Sequence, residues 1–308
     1  MSSVYFRITA RGAHSHIRAP SLERLLARAD GPADAADWRA RAFRLIAPEG
    51  ARMPPVASAA LAPSASRAAG LWVCMATPVH LLAGMTSIGM AADGVLAIEA
   101  AEADALAADF NHVFAGGGVS MERGRDALLL CRFAGPLRVT TSAPEEAAGH
   151  DLWAYLPRGD DATRLRSLAS EIEMWLFDHA VNRRRRETQQ LVINALWLWG
   201  EGAADAERPP LTGWTAGDDP LFGSFAPTSR YPGAATSGVV AVPDWPGSAA
   251  WQDVEERWLA PAFADLRAGR LASIELSARR RCMRLDARAL WRFWRRARPW
   301  WEILTDGD

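Results

Sequence analysis

The sequence predicts a mixed α/β fold, in which helices flank a sheet that contains antiparallel hairpins. Three observations indicate this class. Short apolar runs such as GVLAIE at 94–99 and VVAVP at 239–243 have the length of strands. Two pairs of such runs, within 119–133 and 271–285, are each joined by a short connection, as in hairpins. From 161 to 179, apolar residues recur at steps of three and four, which is typical of an amphipathic helix.

The first 70 residues, 1–70, are expected to form a variable lead-in that packs on the core. VYFRI at 4–8 has strand character, and SLERLLARA at 21–29 begins with a serine N-cap and places its leucines on one helical face. The rest of the lead-in is rich in Ala, Pro and Ser, apart from a helical patch at 38–46. The remaining chain, 71–308, is predicted to be one α/β domain.

Strands and helices are both expected along this domain. Strand character at 71–82 is followed by an amphipathic helix at 99–114. The segment 203–237 is rich in Gly, Pro, Asp and Ser and has little periodicity, so it is predicted to be a long loop. A helix at 251–269 should kink at its internal proline, and an aromatic-rich helix at 287–297 should follow an Asp N-cap.

Composition and charge exclude several functional classes. The 308 residues carry a formal net charge of -1, so no general electrostatic attraction to nucleic acid or acidic membranes is expected. All 35 basic residues are arginine, which excludes mechanisms that need a lysine amine. No charge-free apolar run has the length of a membrane span, and the N-terminus lacks the apolar core of a signal peptide. We therefore expect a soluble, cytoplasmic protein.

One stretch, HAVNRRRRETQQLVINALWLWGEG at 179–202, combines several signals. His179 lies on the apolar face of the predicted helix, and Asn182 is a candidate for the left-handed residue that ends this helix. The four arginines that follow suit the negative end of the helix dipole. INALWLWGEG then has apolar residues on both faces, as expected for a central, buried strand that carries Gly-Glu-Gly at its tip.

Two interpretations of this stretch remain open. In the structural one, His179 donates a hydrogen bond to a carbonyl group and the arginines are solvated. In the functional one, the imidazole of His179, the amide of Asn182 and the guanidinium of Arg185 face an anion. Guanidinium groups suit this role because they form paired hydrogen bonds with phosphate or carboxylate.

The same stretch resembles a segment of bacterial RpfE-type regulatory proteins, in which H-P-V-N and an arginine are followed, after a turn, by an asparagine and W-L-W-G. That family is similar to archaeal-type, cofactor-independent phosphoglycerate mutases of the alkaline-phosphatase superfamily. The matching positions are His179, Val181, Asn182, Arg185, Asn194, Trp197, Leu198, Trp199 and Gly200. Shorter pieces at 76–81, 155–174, 218–223 and 291–296 extend the resemblance in the same order.

The resemblance implies an α/β sheet like that of alkaline phosphatase and phosphoglycerate mutase. Mutase chemistry in that superfamily needs two divalent metals held by Asp and His, together with a serine nucleophile. No histidine follows His179, and no Asp-Gly metal motif precedes a candidate serine near the N-terminus. Ala180, Gln189 and Val192 stand where the family has Pro, Gly and Pro. The scaffold is therefore expected to be degenerate, with no metal and no other cofactor.

We accordingly predict a non-catalytic regulatory or binding protein, whose partner is an anionic small molecule or another protein. The candidate ligand-binding residues are His179, Asn182, Arg185, Asn194, Trp199, Gly200 and His80. The alternative is a metal-dependent phosphoryl-transfer enzyme of the mutase or phosphatase type, with a divalent metal recruited through His80, His14, His16 or carboxylates.

Nucleic-acid binding is a third hypothesis. The segment 270–298 interleaves arginines with tryptophan and phenylalanine, a combination that can pair with phosphates and stack on bases. Helical spacing in its second half predicts aromatic side chains packed inward and arginines outward, which disfavours this reading. No membrane partner is expected, and the oligomeric state is left open.

Overall fold

The computed structural model describes residues 2–8, 18–30, 33–34, 37–62, 65, 67–84, 87–242, 254–278 and 281–300. The chain divides into a discontinuous unit, Met1–Met53 with Pro209–Asp308, and a central unit, Pro54–Arg208. The mixed α/β class is confirmed, because each unit combines a sheet with helices. His14 and His16 lie outside the described residues.

The strands are β1 (Ser3–Ile8), β2 (Ala33–Asp34), β3 (Trp72–Ala83), β4 (Ile88–Val95), β5 (Val119–Arg123), β6 (Leu129–Phe133), β7 (Ala195–Ala203), β8 (Trp214–Gly217), β9 (Gly238–Val242), β10 (Ser273–Ala278) and β11 (Arg281–Asp286). The helices are α1 (Pro20–Arg28), α2 (Trp38–Ile46), α3 (Val56–Ala60), α4 (Ala100–Val113), α5 (Pro144–Ala147), α6 (Ala162–Phe177), α7 (Ala180–Glu187) and α8 (Ala260–Arg267). A π-helical turn, Glu255–Leu259, immediately precedes α8, where the internal proline predicts a kink. None of the described helices has the length and apolar composition needed to cross a membrane.

The discontinuous unit contains a six-stranded sheet in the order β2-β11-β10-β1-β9-β8. Strands β8, β9, β1 and β10 are parallel to one another, and β10 with β11 forms the predicted hairpin. Val4 and Phe6 of β1 lie in one core with Leu22 and Leu25 of α1. α1 thus buries its leucines as predicted, although it begins with Pro20 at its first position rather than with a serine cap.

The two units do not follow the predicted division at residue 70. β1 lies between β9 and β10, so the N-terminal strand belongs to a sheet that the C-terminal third of the chain completes. Parallel pairing of strands from opposite ends of a chain needs no hairpin and leaves no local sequence pattern. The boundaries of the units are therefore set by strand pairing, not by the change in composition near residue 70.

The segment 203–237 also differs from the predicted loop. It contains β8 and a 3-10 turn, Phe222–Phe225, and β8 pairs with β9 at the edge of the sheet. The four residues WTAG are too short to show alternation, yet Trp214, Thr215 and Ala216 are buried. The sequence alone therefore does not indicate this strand, which is identified by its pairing with β9.

The predicted final helix at 287–297 forms only in part. The carboxylate of Asp286 accepts a hydrogen bond from the backbone three residues on, as expected of an N-cap, but the helical backbone ends at Trp291. Trp291, Phe293 and Trp294 are 75%, 72% and 67% exposed. The prediction that these aromatic side chains pack inward is wrong, since only Ala289 and Leu290 of this turn reach the core.

The central unit contains five strands in antiparallel pairs. β7 runs along one edge of β3, while β6 and β4 pair with the two halves of its other edge, and β5 completes the predicted hairpin with β6. α4 and α6 pack against this sheet. They contribute Ala103, Leu106, Phe110, Leu165, Leu168, Ile172 and Leu176 to its core.

β7 differs in two respects from the predicted central strand. Its first five residues are buried as predicted, but β3 is its only strand partner among the described residues. The Gly-Glu-Gly sequence continues β7 instead of forming a sheet tip, since Gly202 pairs with Val73 of β3. Contacts from α3 and α6 account for the burial of a strand that has one partner only.

Candidate functional site

Three of the candidate residues, His179, Asn182 and Arg185, lie at a short connection between two helices or in the helix that follows it. The predicted helix at 161–179 is α6, which ends at Phe177, and α7 begins at Ala180. His179 is the N-cap of α7, because its backbone is extended and its Nδ1 accepts a hydrogen bond from the backbone N–H of Val181 at 3.1 Å. The arginine run therefore belongs to the last turns of α7 and not to the end of α6, although it still lies near the negative end of a helix dipole.

The imidazole of His179 is held through both ring nitrogens. Its Nε2 lies 3.4 Å from Oδ2 of Asp109, which also accepts a hydrogen bond from Nε1–H of Trp175 at 2.8 Å. The Trp175 ring meets the imidazole edge-on, with 4.9 Å between ring centroids. Burial lowers the pKa of His179, and the neighbouring Asp109 carboxylate offsets only part of this shift. The neutral imidazole with its proton on Nε2 is the form that suits both contacts.

Acidification below about pH 6.5 is expected to reduce stability through His179. The imidazole titrates near 6.5 in the unfolded chain, whereas in the fold its pKa is lowered, so the unfolded chain binds the proton first. The contribution of neutral His179 is complete above about pH 6.5. It falls by up to about 1.4 kcal/mol per pH unit until the folded pKa is reached.

Urea unfolding of the wild type and of His179→Asn, between about pH 5.5 and 7, tests this expectation. Asparagine keeps an acceptor for the helix N-terminus but does not titrate, so the variant should lose the pH slope that His179 contributes. Equal slopes for the two proteins would contradict the prediction.

Asn182 lies inside α7 and ties the end of α6 to the approach to β7. Its side chain is 2% exposed, and its Nδ2 donates to the carbonyl oxygens of Leu176 at 2.8 Å and Ile193 at 2.7 Å. Its Oδ1 accepts the backbone N–H of Ile193 at 2.8 Å. The prediction that Asn182 is the left-handed residue is wrong: Gln189, where the resembling family has glycine, has a φ of 56°.

Arg185 connects α7 to the start of α4. Its guanidinium pairs with both carboxylate oxygens of Glu102, at 2.7 and 3.0 Å, and donates to the carbonyl oxygens of Leu191 at 2.9 Å and Ala97 at 2.8 Å. The residue is only 5% exposed. Burial opposes ionisation of Glu102, but hydrogen bonds from Arg185 and from the backbone of Glu99 outweigh it and lower the pKa of the Glu102 carboxyl.

Asn194 and His80 join the approach to β7 with β3. The side chain of Asn194 accepts the backbone N–H of Leu81 at 2.7 Å and donates to the carbonyl oxygen of the same residue at 2.8 Å. It thereby extends the β3–β7 ladder by one side-chain pair. His80 Nδ1 lies 2.8 Å from the carbonyl oxygen of Val192. These contacts fix residues 192–194, which precede β7, against β3.

Trp199 and Gly200 lie in β7 itself. The indole N–H of Trp199 donates to the hydroxyl of Thr77 on β3 at 2.7 Å, and the backbone N–H of Gly200 donates to the hydroxyl of Thr141 at 3.2 Å. Gly200 has a φ of 67°, and a Cβ at this position would lie 3.0 Å from Cβ of Val56. Glycine is therefore favoured by the left-handed backbone conformation, and a side chain here would also press against Val56 of α3.

Six of the seven candidates lie between the end of α6 and β7, and the seventh, His80, reaches the same connection from β3 through the carbonyl oxygen of Val192. The hydrogen bonds described above direct their polar groups at backbone and side chains of the same unit. None of the seven lies among the residues that line the cavity described next. Their direct contact with a ligand stays a prediction, whereas their observed contacts hold β7 in place.

A cavity of about 770 Å³ lies in the central unit, between β7 and α6. The sequence analysis did not predict this cavity. The apolar stripe of α6 indicates which face of the helix is buried, but it gives no signal for the adjacent face, which lines the cavity. That face carries Arg166, Ala169, Ser170 and Glu173 at steps of three and four. The apolar lining residues are Leu81, Ile88, Leu152, Trp153, Tyr155, Leu156, Pro157, Leu165, Ala169, Ala195, Leu196, Trp197 and Leu198.

The ligand set of a metal-dependent mutase is not found among the described residues. In those ranges no three His, Cys, Asp or Glu side chains lie together as a metal-binding group. His80, one of the proposed metal recruiters, has its Nδ1 at a backbone carbonyl. His14 and His16, the other two, fall outside the ranges that the structure describes.

Comparison with known proteins gives local similarity to one enzyme family. No family model matches the chain. It is 34% identical, over 111 residues, to a 2,3-bisphosphoglycerate-independent phosphoglycerate mutase of Methanothrix thermoacetophila, a match that covers 35% of this chain and 27% of that protein. It is 30% identical, over 118 residues, to a 2,3-bisphosphoglycerate-independent phosphoglycerate mutase 2 of Methanothermobacter thermautotrophicus, which covers 36% and 28%.

A solved structure was also matched, the cofactor-independent phosphoglycerate mutase from Thermoplasma acidophilum. The match has 15% sequence identity and a TM-score of 0.35, and it covers 92% of this chain and 89% of the other. The matched region spans less than a third of the length of each of the two sequence relatives. The chain thus shows distant, partial similarity to 2,3-bisphosphoglycerate-independent phosphoglycerate mutases, over about a third of its own length.

Proposed function

We propose that the chain is a non-catalytic, RpfE-type regulatory or binding protein, built on a degenerate phosphoglycerate-mutase-like scaffold and located in the cytoplasm. The observation that carries this proposal is the cavity of about 770 Å³ beside β7. Its volume falls in the range of roughly 300–1,000 Å³ that is usual for small-molecule sites. The strand that forms its wall is the one in which the family resemblance lies.

In this proposal His179, Asn182, Arg185 and Asn194 act indirectly. Their hydrogen bonds hold the approach to β7 against α6, α4 and β3. A residue that places a strand also places the side chains of that strand, here the cavity wall Ala195–Leu198. The motif would then be needed for the shape of the binding site without touching the ligand.

The alternative is a metal-dependent phosphoryl-transfer enzyme. The local similarity to phosphoglycerate mutases favours it. That chemistry depends on divalent metals that bind the phosphate and the nucleophile. The two candidates therefore differ in a property that can be measured directly, namely bound metal accompanied by turnover.

The test uses the purified full chain, with metal analysis after exposure to manganese or zinc and assays of mutase and phosphatase activity in the same metals. We expect neither stoichiometric metal nor turnover. A known active phosphoglycerate mutase, prepared and assayed in parallel, is the positive control. Stoichiometric metal together with turnover would overturn the proposal in favour of the alternative.

A further inference from the structure

We infer that the cavity beside β7 binds a cationic amphiphile, with an apolar body against β7 and α6 and an ammonium group at Glu173. This inference rests on the proposed binding function and specifies its ligand. It departs from the anionic molecule expected from the sequence, because the residues that favoured an anion are not those that line the cavity.

The wall of the cavity is suited to an apolar body. One side is the buried start of β7, where the ring of Trp197 is fixed by a hydrogen bond from its indole N–H to the carbonyl oxygen of Ser142 at 2.8 Å. At the rim, Trp153 is 81% exposed and Ile88 is 53% exposed. A ligand that covers these apolar surfaces removes them from water, which is the main favourable contribution to binding in sites of this kind.

The charges of the lining favour a cation. Arg166 and Glu173 lie on the same face of α6, separated by two turns, or about 10 Å along the axis. The carboxylate of Asp151 lines the cavity as well. The lining therefore contains two acids and one arginine, an excess of negative charge.

Neither acid of the lining has an ion-pair partner among the described residues, and Glu173 has no hydrogen-bond partner there either. Arg166 donates a hydrogen bond to the hydroxyl of Thr163 at 3.3 Å, and Asp151 accepts one from the backbone N–H of Trp153 at 2.9 Å. No arginine of the described ranges pairs with Glu173. Partial desolvation by its surroundings raises the pKa of its carboxyl, and the residue is exposed, so the carboxylate is accessible to an ammonium group that enters the cavity.

Two small residues of α6 complete this part of the lining, Ser170 as a second polar contact and Ala169 as a source of space. They lie one turn before Glu173 on the same helical face and line the cavity. A serine hydroxyl can accept a hydrogen bond from an ammonium group that the carboxylate holds. The small side chain of Ala169 leaves space for the apolar body between α6 and β7.

The experiment compares octylamine, octanol and octanoate, three probes with the same alkyl chain and different charge. Calorimetric titration of the full chain, at about pH 8, keeps the amine and the carboxyls of protein and probe ionised. We expect octylamine to bind most tightly. Glu173→Gln should weaken octylamine binding roughly tenfold and leave octanol unchanged.

Two further variants complete the design. Glu171→Gln makes the same charge change at an exposed position of α6 that does not line the cavity, and it should leave all three affinities unchanged. Ala169→Trp should obstruct the space between α6 and β7 that the apolar body would occupy, and it should weaken binding of all three probes. Circular dichroism and thermal melting of Ala169→Trp show whether this variant folds. If it does not fold, the comparison of Glu173→Gln with the wild type still tests the inference.

The outcomes separate the inference from the function on which it rests. If octanoate binds as tightly as octylamine, or if Glu173→Gln does not affect octylamine, the ligand class is wrong while the cavity remains a binding site. If none of the probes binds, the binding function itself fails. A stable dimer that Ala169→Trp dissociates would show that a second copy of the chain covers the cavity, and would overturn the inference.

Discussion

Replacing Arg185 by methionine is expected to lower the free energy of unfolding by about 3 kcal/mol. Arg185 is 5% exposed, and its guanidinium donates hydrogen bonds to the carboxylate of Glu102 and to two backbone carbonyl oxygens. Methionine fills a similar volume, but it leaves the carboxylate with only the backbone N–H of Glu99 as a donor and removes the donor of both carbonyl oxygens. The expected loss of unfolding free energy lies at the lower end of the usual range for a broken buried ion pair, because the Glu102 side chain is 18% exposed.

Urea unfolding measures this loss, with Arg186→Met as the matched control. Arg186 is the next residue of the same helix and is exposed, so its replacement should cost less than about 0.5 kcal/mol. The double variant Arg185→Met with Glu102→Gln should recover part of the loss, because the unpaired charge is then absent. Equal losses at Arg185 and Arg186 would mean that the ion pair does not hold α7 to α4.

Asn182→Asp is expected to cost about 3–4 kcal/mol at neutral pH, although aspartate and asparagine have nearly the same shape. The amide donates to the carbonyl oxygens of Leu176 and Ile193. A carboxylate in its place would face both oxygens with negative charge, in a position that is 2% exposed. The variant must therefore fold with a protonated carboxyl, which can serve only one of the two carbonyl groups.

The pH dependence identifies this mechanism. The carboxyl introduced by Asn182→Asp would be protonated in the fold and ionised in the unfolded chain, so the penalty grows as pH rises above about 3.9. Unfolding of the wild type and the variant by urea at about pH 5 and pH 7 should show a larger difference at pH 7. A difference below about 1 kcal/mol at both values would contradict the role of Asn182 as a buried connector.

The two replacements also bear on the proposed function. Asn182 and Arg185 hold the approach to β7, and the first residues of β7 form one wall of the cavity. A variant that remains folded should therefore bind an apolar probe more weakly, although neither residue lines the cavity. Arg186→Met should not have this effect.

Local chemistry made several elements predictable. The leucines of α1 and the apolar stripe of α6 follow the helical repeat, and both are buried where that repeat places them. The β5–β6 and β10–β11 hairpins join strands that are close in sequence, so a short connection between apolar runs was a sufficient signal. The candidate residues that the sequence singled out within 179–202 lie along one connection, from the end of α6 to β7.

Contacts between distant segments were not predictable in the same way. Whether Asn182 faces an anion or two carbonyl groups depends on where Leu176 and Ile193 come to lie, on either side of the turn. Whether Arg185 is solvated or paired depends on Glu102, which belongs to another helix. A side chain seeks hydrogen-bond partners of a given chemistry, but the sequence around it does not specify which segment supplies them.

By itself, the sequence determined the mixed α/β class, the amphipathic helices and the two hairpins, and it singled out the stretch 179–202. These depend on periodicity and on neighbours within a few residues. Only the tertiary structure decided that the N-terminal strand pairs within the C-terminal sheet. It likewise decided that the side chains of 179–194 form hydrogen bonds with other residues of the chain, and that a cavity lies beside β7. The physical reason is that burial, charge pairing and enclosed volume belong to surfaces built from several segments, and no single segment contains the information to define them.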